Sequence, residues 1–279
     1  MAERLFAAAG VPFEAAHPLV DAVVGAGARG LHLACHLKVD TGMHRLGLAP
    51  GAAADLGARL RDCRNCLGAP RWVTHLANGD DLHDPYTQRQ LAQMQRFAGP
   101  DAVFSLANSA GILGWPASHG DWVRPGIMLY GVSPFIGEQG PERGLRPAMT
   151  LEARLISVKW VPRGAPVGYG GSYVCPEAMP VGAAAIGYGD GYPRHAPNGT
   201  PVLVNGRRVP LIGRVSMDLV TLDLRGQPDA RPGDPVRLWG PDLPVAEVAT
   251  AAGTIGYELL CRLTRRLRFE HLNWETAAP

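Results

Sequence analysis

Apolar positions in the first half of the chain follow two alternating periods. Residues 17–28 and 51–65 repeat them every three to four positions, and 85–98 do so behind Pro85, a residue suited to a helix start. Between these helix patterns lie short apolar runs at 31–40, 71–77, 103–107 and 122–130. The first two read as strands. Strand and helix in alternation predict a parallel sheet with crossover helices. Near residue 145 the helical period vanishes. Strand-like segments follow at 149–161, 166–174, 181–188, 201–204, 208–212, 215–224 and 235–239, with turn residues between them. Asn205-Gly206 fits a type I′ hairpin turn, where both central residues need a positive φ. Two helices, about 244–253 and 256–267, close the pattern.

The Gly- and Pro-rich stretch 131–147 marks a boundary, giving an α/β domain over 1–140 and a mostly β domain over 141–279. A closed (β/α)8 barrel takes ~250 residues, and one βα unit takes about 30. The first domain therefore holds about four or five units. It is either an open sheet or a barrel without its beginning.

Composition narrows the class without changing this picture. In 279 residues, 46% are apolar and 19% charged, which supports a buried core and excludes disorder as the main state. The formal net charge of +2 gives no basic excess of the kind a nucleic-acid binder shows. No apolar run reaches the ~18 residues of a membrane span, and no secretory signal pattern opens the chain. Five scattered cysteines, Cys35, Cys63, Cys66, Cys175 and Cys261, point to reduced thiols and a cytoplasmic setting. Only two of the 27 basic side chains are lysines, Lys38 and Lys159.

Candidate chemistry gathers at the ends of the predicted strands, where ligands sit in parallel α/β proteins. Lys38 and Asp40 share one face of a strand, and Arg45 falls just beyond it, where a guanidinium suits a carboxylate. On spacing alone a surface ion pair is the favoured reading of these residues. His75 ends the next strand, and taken singly it reads first as a hydrogen-bonded core histidine. Asn108-Ser109-Ala-Gly111 offers amides and a hydroxyl to an anion, and Gly126 lets backbone approach a ligand. In the β half, Tyr169 sits among glycines, Met217 follows a hairpin, and Tyr257 opens a helix. Cys63-Arg-Asn-Cys66 lacks a second pair and reads as no metal site. The group Asp80, Asp81, His83 and Asp84 reads as a solvated turn. Arg265, Arg266 and Arg268 read as cations at a helix C-terminus.

Eight segments in order resemble the alanine racemases, the fold type III group of pyridoxal-phosphate enzymes: KVDTGMHRLG at 38–47, THLANGDD at 74–81, ANSAG at 107–111, RPGIMLYG at 124–131, VGYGGSY at 167–173, GYGDGYPR at 187–194, GRVSMD at 213–218 and GTIGYELLCRL at 253–263. The resemblance implies the C-terminal part of a (β/α)8 TIM-type barrel followed by a β domain. It implies pyridoxal 5′-phosphate as cofactor, alanine as substrate, D-alanine for peptidoglycan as product, and a homodimer sharing its active site across the interface. It gives Arg45 the substrate carboxylate and cofactor phenolate, and Met217 a substrate contact through its backbone. Lys38 matches a lysine often carbamylated, which fixes the arginine. His75 matches a residue facing the pyridine ring, and Arg124 one bonded to the ring nitrogen. Asn108, Ser109, Gly126, Ile127 and Tyr257 match cofactor contacts, most of them to phosphate. Tyr169 matches one of two bases; the other is a lysine that also carries the cofactor.

That lysine's Lys-Ala-x-Ala-Tyr-Gly-like motif does not occur in the sequence, and only 37 residues precede Lys38. Relatives place roughly three more βα units, ~90 residues, before that point. The resemblance therefore implies an N-terminally shortened barrel and an inactive chain. Two other readings stand beside it: a broader amino-acid racemase of the same fold type, and a non-catalytic cofactor-binding remnant.

Overall fold

Three short strands carry the first half of the chain: β1 (His36–Lys38), β2 (Arg71–Val73) and β3 (Phe104–Ser105), parallel and paired in that order. The computed structural model describes Gly30 and residues 32–272; the helix expected at 17–28 lies outside them. The helices α1 (Pro50–Arg61) and α2 (Tyr86–Met94) connect consecutive strands, as the alternating pattern required. Leu37 stands opposite Trp72, and Trp72 opposite Phe104. The ladder is shorter than the apolar runs. Beyond β1 it continues only as single bridges, Leu33 to Cys66 and Val39 to Leu48. Pro50 opens α1, and Arg59 and Arg61 sit in its last turn, where cations favour the helix dipole. Gly57 of α1 is required by packing, because a Cβ there would strike the Trp72 ring. Leu37, Val39, Leu60, Trp72, Leu91 and Met94 form the core of this unit, with Phe97 tilted against Trp72 at 4.3 Å between ring centres.

The run 122–130 does not become a strand. Trp122 makes one bridge to Ser105, Pro125 and Gly126 interrupt the ladder, and Ile127–Tyr130 wind into a 3-10 turn. A short helix, α3 (Ser109–Gly114), follows β3.

The second half forms a closed six-stranded antiparallel barrel. Its strands are β4 (Leu151–Val161), β7 (Met179–Ala184), β8 (Pro201–Val204), β9 (Arg207–Ile212), β10 (Val220–Asp223) and β11 (Pro235–Trp239). A small ribbon, β5 (Pro166–Val167) with β6 (Tyr173–Val174), leaves it between β4 and β7. The barrel closes where Leu222 of β10 meets Leu211 of β9. Asn205 and Gly206 turn the β8–β9 hairpin with φ of 50° and 74°, as a type I′ turn demands. Leu155, Val204, Leu211, Leu222, Val236 and Trp239 fill the interior, and Tyr192 stacks on Trp239 at 6.3 Å. Two helices follow, α4 (Val245–Ala251) and α5 (Gly256–Cys261). The second stops six residues short of the expected 267. The chain leaves the helix after Cys261, and Thr264 then bonds back to Asp190 and Gly189.

The described chain divides into two units. One runs to Gly126 and includes Pro134–Glu138; the other holds Ile127–Ser133 and everything from Gln139 onward. The passage between them therefore falls within 127–139 and crosses back once.

Candidate active site

The C-terminal ends of β1, β2 and β3 gather four nitrogen-bearing side chains. Lys38 is the last residue of β1, Arg45 follows in the next loop, His75 lies two residues past β2, and Arg124 reaches back to the end of β3. Burial, then the charges of Arg124 and Arg45, hold the Lys38 ammonium below its ordinary value, against a smaller opposing pull from Asp40. His75 is pushed down to about 4, by burial first and then by Lys38, Arg124 and Arg45. Its imidazole is neutral at pH 7. Three cations thus face one neutral ring. Asp40, the nearby carboxylate, is committed to the loop itself: it accepts from the amides of His44 and Gly42 at 2.9 and 3.0 Å and meets His44 Nδ1 at 3.1 Å. Its carboxyl lies below the ordinary range, chiefly through the His44 amide.

Arg124 is spread over neutral oxygens. One terminal nitrogen donates to the carbonyl and hydroxyl of Ser105 at 2.6 and 2.7 Å. The other donates to the carbonyls of Thr74 at 2.7 Å and Leu106 at 3.3 Å. These carbonyls end the parallel ladder, where no further strand residue supplies donors. The bonds fix the plane of the guanidinium and spend its donors on neutral groups rather than on a carboxylate.

The turn after β3 prepares a second feature. Asn108 caps α3 by accepting from the Gly111 amide at 2.9 Å, and the Ser109 hydroxyl accepts from the Gly126 amide at 2.9 Å. A Cβ at Gly126 would meet only that hydroxyl, at 3.7 Å. The glycine therefore leaves the space beside that hydroxyl open. The cluster of cations and the open backbone at Gly126 both fit an anionic, phosphate-bearing cofactor.

Ile127, Tyr169, Met217 and Tyr257 belong to the barrel unit. Ile127 is buried in its core. Tyr169 is 70% exposed at the tip between β5 and β6, where Gly168, Gly170 and Gly171 all take positive φ. Met217 is 52% exposed, and its carbonyl accepts from the Gly189 amide at 2.9 Å. Tyr257 is the second residue of α5. Lys159 lies on β4, exposed and opposite Val181.

Some residues of the site escaped the sequence reading. Gln90 of α2 is fully buried. Its amide nitrogen donates to the Thr41 hydroxyl at 3.0 Å and the His75 carbonyl at 3.1 Å, and its oxygen accepts from Ala77 at 2.8 Å. It holds the segment that carries His75. Helical phase carries the signal, since Gln90 shares a face with Thr87, Leu91 and Met94, all buried. Arg266 is not at a helix end; it pairs with Asp190 at 3.4 Å and with Asp218. Among the described residues no group of His, Cys, Asp or Glu is placed to hold a metal ion, and no helix is long and apolar enough to cross a membrane.

Residues 17–134 match the family model described as alanine racemase, N-terminal domain, and residues 148–271 the one described as alanine racemase, C-terminal domain. The alanine racemase of Nitrosococcus oceani is 55% identical over 231 residues, covering 83% of this chain and 65% of that protein. That of Halorhodospira halophila is 53% identical over 242 residues, covering 86% and 66%. The chain thus spans just under two thirds of the length of these relatives. Among solved structures, biosynthetic alanine racemase from Pseudomonas aeruginosa superposes with a TM-score of 0.85 at 46% identity, covering 90% of this chain and 71% of that one. Alanine racemase from Bartonella henselae, with covalently bound pyridoxal phosphate, gives 0.81 at 31% identity, covering 95% and 74%.

Proposed function

The chain belongs to the alanine racemase family, and on that premise we propose that it supplies most of the cofactor- and substrate-binding machinery of an alanine racemase. The observation that carries this reading is the cationic cluster of Lys38, Arg45 and Arg124 around a neutral His75. Pyridoxal 5′-phosphate, when bound, supplies an electron sink for the pair left on the substrate Cα as its proton departs. Arg124, whose terminal nitrogens are taken by Ser105, Thr74 and Leu106, would present its Nε–H to the ring nitrogen and hold that nitrogen unprotonated. His75 would stand beside the ring as a neutral group. Asn108, Ser109, Gly126, Ile127 and Tyr257 hold the cofactor, chiefly its phosphate.

Arg45 binds the substrate carboxylate as an ion pair. Lys38 is one of the three cations as the chain stands; its lowered affinity for a proton favours the free amine, which with carbon dioxide would give a carbamate, an anion that pairs with Arg45 and orients it. Met217 contacts the substrate through its backbone; with its carbonyl committed to Gly189, the amide is the group left to meet the carboxylate. Tyr169 takes or returns the Cα proton on one face, brought there by a second copy of the chain. The D-alanine formed serves peptidoglycan, in the cytoplasm.

The base for the other face is a lysine in this family reading. Neither lysine of the sequence suits that role, since Lys38 is assigned to Arg45 and Lys159 is on the barrel. The 279-residue chain therefore binds the cofactor without covalent attachment and does not racemise alanine. Borohydride treatment of the cofactor-loaded chain, with peptide mapping, checks this. A pyridoxyl group on Lys38 or Lys159 together with racemisation would overturn it. A chimera joining the lysine-bearing N-terminal segment of the Pseudomonas aeruginosa relative to this chain should interconvert L- and D-alanine. A chimera that folds, binds the cofactor and acts on another amino acid instead would favour the broader racemase.

A further inference from the structure

We propose that Arg266, seated on Asp190, is a positioning residue that sets the turn carrying the Met217 amide. The proposal rests on the reading that this amide meets the substrate carboxylate.

Three chain segments meet at this point of the barrel unit. The turn Gly187–Asp190 lies against the turn Ser216–Asp218. Tyr188 N–H donates to the Ser216 carbonyl at 3.0 Å, and Gly189 N–H to the Met217 carbonyl at 2.9 Å. Two glycines permit that approach: a Cβ at Gly187 would strike the Ser216 and Met217 carbonyls, and one at Gly189 would strike the Arg266 guanidinium. From the other side, Thr264 donates to two residues of the turn, N–H to the Asp190 carbonyl at 3.1 Å and hydroxyl to the Gly189 carbonyl at 2.9 Å. Arg266 then spans the remaining gap, from the Asp190 carboxylate to that of Asp218, next in sequence to Met217.

The division of labour within Asp190 shows why the arginine matters. This residue is 8% exposed. One oxygen closes its own turn by accepting from the Gly187 amide at 2.9 Å; the other faces Arg266 Nε at 3.4 Å. The carboxylate holds the turn, and the guanidinium transmits that fixed position to Asp218. The Met217 carbonyl is thereby committed to Gly189, while its amide donates to no backbone carbonyl among the described residues. An amide whose neighbouring carbonyl is pinned presents its donor in one direction, and that preorganisation is what carboxylate binding requires.

Amide exchange resolved by residue on the 279-residue chain tests the brace, with Arg266→Met and Arg266→Lys. In Arg266→Met the amides of Tyr188 and Gly189 should exchange at least tenfold faster, with Val202 and Val209 of the β8–β9 hairpin unchanged. Unchanged exchange at Gly189 would overturn the brace. Titration of D-alanine into the cofactor-loaded chain, read at the Met217 amide, tests the consequence. The half-saturating concentration should rise about tenfold in Arg266→Met and return to within about threefold of the parent in Arg266→Lys. Faster exchange with an unchanged alanine dependence would make Arg266 merely structural and overturn the positioning role. A Met217 amide that does not respond to D-alanine in the parent chain would remove the substrate assignment itself, whatever the exchange rates show.

Discussion

The parallel sheet and the antiparallel barrel solve the same backbone problem in opposite ways. In the barrel every strand has a partner on both sides, so the ladder satisfies the backbone and the interior is left to apolar side chains. In the sheet the strands are two or three residues long, and their terminal carbonyls are left over. Polar side chains take up that remainder: Arg124 at Thr74, Ser105 and Leu106, and Gln90 at His75. A region whose backbone is completed by side chains is one whose side chains are held at fixed positions. Chemistry gathers there, and the barrel presents its candidate residues on turns instead.

If this contrast is sound, loss of a polar group should damage the sheet most. Arg124→Met removes donors from three buried carbonyls, each worth about 1–3 kcal/mol when stranded, or ~3–9 kcal/mol together. Amides of β1 to β3 should lose exchange protection while those of β8 and β9 keep theirs. A loss of protection shared equally by both would break the contrast. In the barrel the sensitive change is apolar. Leu222→Ala, at a fully buried site where the barrel closes, should cost about 3–4 kcal/mol, read from the urea midpoint. A loss under about 1 kcal/mol would mean that the interior is not the barrel's main support.

A smaller effect separates the units by pH. His75 in the folded sheet binds its proton only near pH 4, against ~6.5 for an unfolded histidine. Between these values the unfolded chain holds a proton that the folded chain does not. The stability is therefore full above about pH 6.5 and falls as the pH drops toward 4, by at most ~1.4 kcal/mol per unit. His36 is lowered too, by burial and then Arg71, and adds in the same direction. The barrel's shifted carboxylates, Asp234 and Glu258, are held below their ordinary values, so their contributions leave only in more acid solution. Local stability of the sheet between about pH 6.5 and 4.5, followed by amide exchange in the parent and in His75→Gln, checks this. An acid-sensitive sheet in His75→Gln identical to the parent's would reassign the effect.

The same contrast explains what could be read from the sequence. Alternation of periods exposed the sheet and helices, and Asn205-Gly206 exposed the hairpin, because each depends on neighbours along the chain. Lys38, Arg45 and His75 were legible as strand-end residues. The burial and neighbouring charges that make His75 neutral were not, because they need several segments brought side by side. Gln90 hid on an amphipathic helix as one polar residue among several, although its phase placed it inward. Arg266 resembled a helix-end cation because the helix period ran on past Cys261, and only the bonds from Thr264 to the 189–190 turn show why the chain leaves the helix there.

The smallest expected effect falls on the best-read element. Gly206 takes a φ of 74° in the β8–β9 turn, and a Cβ there would meet nothing within 4 Å. Gly206→Ala therefore carries no steric collision, and its cost is conformational. Holding an L-residue in the left-handed region costs about 1–2 kcal/mol, partly offset because alanine has less freedom to lose on folding. The net loss should be about 1 kcal/mol, or roughly 3 °C in the melting of the barrel. The β8–β9 register should persist, because the pairs Val202–Val209 and Leu203–Arg208 and the buried Val202 and Val209 fix it independently of the turn. Cross-strand contacts between Val202 and Val209, measured by NMR in the variant, test that independence. A shifted register would show that the turn sets the pairing and that the barrel's apolar interior does not decide it alone.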